Sequence, residues 1–172
     1  MAPAPTLDHT DIIGRIHFLF VNYFLTHKNG YVYHDNVDVH LSEENLYKPD
    51  LCVVLKPNEK ILAGRKAIFG APDMVVEVLS KSTRKKDLTV KKDIYEANGV
   101  REYWIIDPWA KSVDVYLLRD GKYFFDDEYI LFDAKEFALL DDAEKAEVKT
   151  EVPVTVLDGL KIPLKFIFKW GY

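Results

Sequence analysis

A chain of 172 residues that is 48% hydrophobic and 30% charged can bury a sizeable core and is too apolar to be disordered. Its 23 Lys and Arg against 28 Asp and Glu give a formal net charge of -5. That is the wrong sign for coating nucleic acid through the overall field, and it leaves open only a local basic patch or a cation bridging to phosphate. A single cysteine, Cys52, excludes an internal disulfide and sits in an apolar run, as a small core residue does. No stretch approaches the ~20 apolar residues of a membrane span, and the N-terminus lacks the pattern of a signal peptide. One domain over 1–172 in the reducing cytoplasm is expected, with no membrane partner.

Along the chain, Ile12, Ile13, Ile16, Phe20, Tyr23 and Phe24 recur at helical spacing over residues 8–28, with Lys28-Asn29-Gly30 as the stop. Short strands are predicted at YVYH, VDVHL and DLCVVL, the last over 50–55. KPNEKILAGRKAIFGAP reads as a polar loop closed by Gly70-Ala71-Pro72. DMVVEVLS then has apolar residues on both faces, the pattern of a central strand covered on two sides. Ser80, Ser82 and Thr83 can cap a helix from about Arg84 to Asn98, with Gly99 at the C-terminal cap. REYWIID is a further strand, stopped by Asp107-Pro108. SVDVYLLRDGKYFF is a hairpin with Asp120-Gly121 at its tip. An acidic, partly helical insert, DAKEFALLDDAEKAE, precedes a strand VPVTVL and the end segment IPLKFIF. Strands interleaved with helices define a mixed α/β sheet with helices on its faces.

Glu77 interrupts the central strand, alternating with Val75 and Leu79 on one face. A buried carboxylate needs a cation, hydrogen-bond donors, a metal or a proton. On the following helix Leu88, Ile94 and Tyr95 define an inward arc, and Lys91 falls near its middle. Lys91 then either looks into one site with Glu77 or pairs with Asp87 on a solvated face at i, i+4. Asp50 opens the neighbouring strand, as a turn residue or as a second acid beside Glu77. Two carboxylates converging across strands repel unless a divalent cation with oxygen preference, Mg2+ or Mn2+, holds them. Two acids and a lysine suit metal-assisted phosphodiester hydrolysis. Lys81, Arg84, Lys85 and Lys86 follow Glu77 closely, as a solvated face or as contacts to nucleic-acid phosphates. Among His9, His17, His27, His34 and His40, none has zinc-site spacing with cysteine.

The segments KPDLCVV and GAPDMVVEVLSKSTRKKDLTVKKDIYEANGVREYWIIDP resemble the putative restriction endonuclease family of the PD-(D/E)XK nuclease superfamily. The resemblance implies a restriction endonuclease-like fold: a mixed β-sheet core flanked by helices that binds Mg2+ or Mn2+ and cuts nucleic acid, DNA first of all, in many cases as a homodimer. It sets Asp50 on the PD aspartate and Glu77 on the second acid. The superfamily lysine stands two residues after that acid, where this chain has Leu79, and the resemblance implies its displacement to Lys91 on the helix. Gly99, Tyr103, Trp104 and Asp107 match as scaffold, and His9 matches a histidine before the family's helix. Many members also carry an upstream hairpin of the YEL…DG type, which this sequence does not contain. Asp8, Asp11 and Asp38 are the substitutes for its acid. The alternative expectation is a catalytically reduced module that binds nucleic acid or a protein.

Overall fold

The computed structural model describes residues 6–34, 36–80 and 84–168. Helix α1 (Leu7–His27) starts where Thr6 accepts the His9 amide and stops at Lys28, whose left-handed backbone (φ 53°) lets its amide reach the Phe24 carbonyl. The periodic residues read from the sequence are those it buries: Ile12, Ile16, Phe20, Tyr23 and Phe24.

The main sheet has six strands in the order β1 (Gly30–His34), β4 (Leu51–Leu55), β6 (Met74–Val78), β7 (Glu102–Asp107), β8 (Ser112–Arg119) and β9 (Lys122–Ile130). Strands β6 and β7 run parallel and every other pair is antiparallel, the mixed α/β sheet the sequence predicts. β6 is buried along its whole length, because both faces are covered. Val76 and Val78 face a core shared with α1, Trp104 and Ile106. Val75 and Leu79 face a second core with Tyr95, Tyr103 and Ile105.

A parallel pair needs a long crossover, and here it is one helical run of three parts. These are α2 (Arg84–Lys86), a π turn over Asp87–Lys91 and α3 (Lys92–Ala97). It ends in a Schellman motif. The Gly99 amide bonds Glu96 and the Val100 amide bonds Tyr95, which requires the positive φ of 86° that glycine adopts freely. At the hairpin tip, Asp120 (φ 51°) and Gly121 (φ 77°) turn as expected.

Elsewhere the structure departs from the sequence reading. The expected polar loop holds 3-10 turns within Lys56–Arg65, broken by a kink at Ala63 and Gly64, and buries Ile61 and Leu62. After it, β5 (Ile68–Phe69) joins β2 (Val39–His40) and β3 (Leu46–Tyr47) in a small separate sheet. The insert folds as α4 (Ala134–Leu139) and α5 (Asp142–Glu147), each opened by an aspartate–glutamate capping box. VPVTVL is extended only at its start, in β10 (Glu151–Pro153), and then turns so that Leu157 bonds back to Val154. IPLKFIF splits into β11 (Lys161–Pro163) and α6 (Leu164–Phe168). No helix among the described residues is long and apolar enough to cross a membrane.

A buried carboxylate ties that C-terminal turn to the sheet. Glu102 is inaccessible to solvent, and it accepts the Trp104 indole N–H at 2.7 Å and the Val156 amide at 2.8 Å. Replacing it leaves the buried Trp104 indole N–H and the half-buried Val156 amide without this acceptor, at about 1–3 kcal/mol each. Glu102→Ala is therefore expected to lower unfolding stability by about 2–5 kcal/mol, read from urea denaturation midpoints.

Candidate active site

The register of β4 against β6 pairs Leu51 with Val76 and Cys52 with Val75. One further step sets Asp50 opposite Glu77, on the face covered by the crossover helix. β4 ends as a ladder at Leu51, and the Asp50 side chain continues it by accepting the Val78 amide on Oδ2 at 2.7 Å. The residues read as two acids from the sequence are thus neighbours across adjacent strands, at the carboxyl end of β6.

Glu77 is buried, 2% exposed, and both its oxygens are engaged. The Tyr95 hydroxyl donates to Oε1 at 2.8 Å, and Lys91 Nζ lies 2.8 Å from Oε2. The same ammonium lies 2.7 Å from Asp87 Oδ1. The two sequence readings of Lys91 are therefore both realised, with the Asp87 pair buried rather than solvated. Asp87 is 1% exposed, and its Oδ2 has no hydrogen-bond partner among the described residues.

One lysine thus faces two buried carboxylates, with Asp50 one strand away. Burial pushes the Glu77 pKa up to about 7, Lys91 pulls against that, and the charges of Asp50 and Asp87 raise it further. Burial opposes the Lys91 charge, but Glu77 and Asp87 outweigh it and hold the ammonium above its ordinary value.

The helix phase explains why Asp87 was read as solvated. At α-helical spacing the arc through Lys91 and Tyr95 continues to Leu88. The π turn takes one extra residue into that stretch, so Asp87 continues the buried face and Leu88 is 36% exposed. Leu79, at the superfamily's usual lysine position, is buried in the core and donates its amide to Ile106.

His9, in the first turn of α1, puts Nε2 3.3 Å from Asp50 Oδ2. The hydrogen bond to Asp50 raises its pKa and burial works against it. The other four histidines pack on rings: His17 on His34, His27 on Tyr23 and His40 on Phe69. Of the substitute acids, Asp38 pairs with Lys48 at 3.1 Å, Asp8 is exposed, and Asp11 is half-buried with its Oδ2 out of reach of any hydrogen-bond partner among the described residues. Cys52 is buried, and burial pushes its thiol up to about 12, the behaviour of a core residue.

The basic run divides. Arg84 is ion-paired with Asp107, whose other oxygen accepts the Trp109 and Ala110 amides. Burial alone would raise Asp107, but Arg84 and those amides hold it below the usual carboxylate range. Lys85 is exposed. Lys81 and the side chain of Lys86 lie outside the described residues.

Two acids at facing positions of neighbouring strands, a helix-borne lysine over them and a mixed sheet with one parallel crossover define a restriction endonuclease-like protein. A solved structure of a putative nuclease of DUF820 from Anabaena variabilis shares the fold with a TM-score of 0.70 at 18% identity, covering 96% of this chain and 83% of that one. No curated protein matches the chain. The model of the Uma2 family, described as "Putative restriction endonuclease", matches residues 1–136. The chain belongs to that family, and the membership supports a nuclease activity.

The charge network makes a stability prediction. Lys91→Met leaves Glu77 and Asp87 buried with no cation and is expected to cost about 3–5 kcal/mol. Glu77→Gln lowers the excess negative charge, and its unfolding free energy is expected to stay within about 1 kcal/mol of wild type or to rise. Guanidinium denaturation of the two variants at neutral pH checks both signs.

Proposed function

We propose that the chain is a nuclease that hydrolyses phosphodiester bonds in DNA, with Asp50 and Glu77 holding Mg2+ or Mn2+ and Lys91 serving the reaction. The observation that carries this reading is the charge imbalance: Lys91 Nζ faces two buried carboxylates, Glu77 and Asp87, while Asp50, whose Oδ2 has His9 Nε2 at 3.3 Å, adds its charge beside Glu77. A hard divalent cation on carboxylate oxygens is the charge that would balance them. Asp50 Oδ1 takes no hydrogen bond from any described residue, so an acceptor is left over beside Glu77. Among the described residues no three His, Cys, Asp or Glu side chains are already gathered as a metal cage. The fit therefore rests on the donor set and its surplus charge.

When bound, such a cation polarises a phosphoryl oxygen and makes a coordinated water more acidic. Lys91, fixed between Glu77 and Asp87, offers ammonium hydrogens to orient a water or to meet negative charge growing on the phosphate. Tyr95 fixes the rotamer of Glu77, and the Val78 amide fixes that of Asp50. Lys85 supplies phosphate contacts, a role the sequence reading extends to Lys81 and Lys86, while Arg84 is already neutralised by Asp107. One domain over 1–172 carries the site, and a homodimer lets two such sites cut both strands.

One observation favours a second reading, a nuclease-like module that binds nucleic acid without cutting it. Both Glu77 oxygens are already satisfied by Tyr95 and Lys91, so the network closes without a metal.

Calorimetric titration of Mn2+ separates the two. Nuclease function predicts saturable binding that is lost in Asp50→Asn, and Mn2+-dependent cleavage of mixed-sequence DNA that is lost in Glu77→Ala. A flat wild-type titration, with DNA affinity falling steeply as salt rises, would transfer the assignment to the binding module.

A further inference from the structure

We propose that the outer face of the small sheet formed by β2, β3 and β5 is a stacking platform for unpaired DNA bases, with Arg65 and Lys66 holding the phosphates beside it. The inference rests on the nucleic-acid reading above and adds to it the form of the substrate, a single strand flanking the site.

The register of the small sheet sets three side chains in one row. His40 lies opposite Leu46 on one side and Phe69 on the other, while Val39 lies opposite Tyr47 and Ile68. Alternation sends the two rows to opposite faces. Val39 and Ile68 are buried in the second core, and Tyr47 packs against it. Leu46 and Phe69 are left 50% and 56% exposed. His40 and Phe69 stack with centroids 5.0 Å apart and planes 14° from parallel. This short stack ends on Phe69 at the edge of the sheet, where a base can add as the next layer.

Cations stand where the same strand begins. Arg65 and Lys66 lead into β5, are exposed and line one hollow with Tyr33. Neither has a carboxylate partner among the described residues, in contrast to Lys48 on Asp38 and Lys56 on Glu59. Glu43 and Glu44 are exposed in the β2–β3 turn, at the opposite end of these strands. A polyanion is therefore drawn to the start of β5.

The platform is continuous with the candidate site. On its inner face Tyr47 packs against Tyr95 with centroids 5.9 Å apart, and the Tyr95 hydroxyl is the group that donates to Glu77. Asp50 follows Leu46 by four residues, at most ~14 Å of extended chain. A stacked strand advances ~3.4 Å per nucleotide, so the near end of the row lies within about four nucleotides of the acids. A second copy of the chain fits this face less well. Three side chains about half exposed offer roughly 300 Å2, short of the ~800 Å2 per partner of a stable dimer. A duplex keeps its base faces stacked on one another and gains little here, whereas an unpaired base brings a free face.

Photocrosslinking of the metal-free full chain to an oligothymidine carrying 5-iododeoxyuridine tests the platform without reference to cleavage. Expected is a crosslink on Phe69 or His40, located by peptide mass spectrometry. Oligothymidine affinity is expected to fall at least ~10-fold in Phe69→Leu and to be retained in Phe69→Tyr, which keeps a ring to stack. Arg65→Ala with Lys66→Ala is expected to flatten the slope of log affinity against log salt by about 1.4. A duplex of the same length that binds as well, and is weakened as much by Phe69→Leu, would overturn the single-strand assignment. Crosslinks confined to the crossover helix would overturn the platform and leave the nuclease reading standing. Crosslinks at Phe69 beside a flat Mn2+ titration would support the platform and remove only the cleavage. Self-association of the wild type that Phe69→Leu relieves, with no crosslink, would give the face to a second copy and overturn the inference, as would absence of wild-type binding at low salt.

Discussion

A carboxylate in the middle of a strand buried on both faces must be compensated where it lies, because no water reaches it. For Glu77 the compensation comes from the helix that crosses over to the parallel partner strand, and this requirement organises that half of the molecule. The helix has to lie across β6 closely enough for Lys91 Nζ and the Tyr95 hydroxyl both to touch Glu77. The Schellman turn at Gly99 then returns the chain directly into β7. On the other side, the start of β4 brings Asp50 to the same place with its side chain completing the ladder. Each group in the site therefore stands on a strand or helix whose position is fixed by the core, the condition under which a constellation keeps its geometry.

The compensation is incomplete, and its incompleteness separates this cluster from an ordinary buried ion pair. A structural pair balances one charge with one. Here Asp87 adds a second buried carboxylate to the same ammonium, and Asp50 adds a third acid nearby. Nothing in folding calls for Asp87 at 1% exposure, because an apolar residue on that helix face would pack without the desolvation cost. A surplus of negative charge held inside a rigid frame is a cost to stability, and sites that bind cations commonly accept it.

Much of this was legible in the sequence, because the relevant signals are local. Alternation around Glu77, the acid opening DLCVVL and the helical phase of Lys91 each need only a few neighbouring residues. The turn residues at Lys28, Gly99 and Asp120-Gly121 likewise marked the ends of α1 and of the crossover helix and the tip of the β8–β9 hairpin, while the expected caps Ser82 and Thr83 lie outside the described residues. What escaped was non-local or broke the assumed period. The π turn rotated Leu88 outward and Asp87 inward, and no propensity in Asp-Leu-Thr-Val-Lys announces such a turn. His9 meets Asp50 across 41 residues of chain, a proximity that only the packed sheet creates. Arg84 looked like one member of a solvated basic run until the fold brought Asp107 beside it. VPVTVL reads as a strand by its alternation, yet the chain turns after Pro153, where Leu157 bonds back to Val154 and the Val156 amide meets the distant Glu102.

The overall negative charge, which argues against nucleic-acid binding when taken as one number, weakens as an objection once its distribution is known. The acidic helices α4 and α5 follow β9, and α5 residues share a surface hollow with Asp127 and Glu128 of that strand. β9 stands three strands from β6 in the sheet order. At ~4.8 Å per strand that is roughly 14 Å, beyond the ~8 Å over which exposed charges act at physiological salt. The acids of α4, α5 and β9 therefore act weakly at the carboxyl end of β6, where Lys91 stands between Glu77 and Asp87 and Lys85 is exposed on the helix that follows. The acids that set the formal charge and the groups that would meet a substrate occupy different strands, so the sign of the whole does not decide the chemistry of the site.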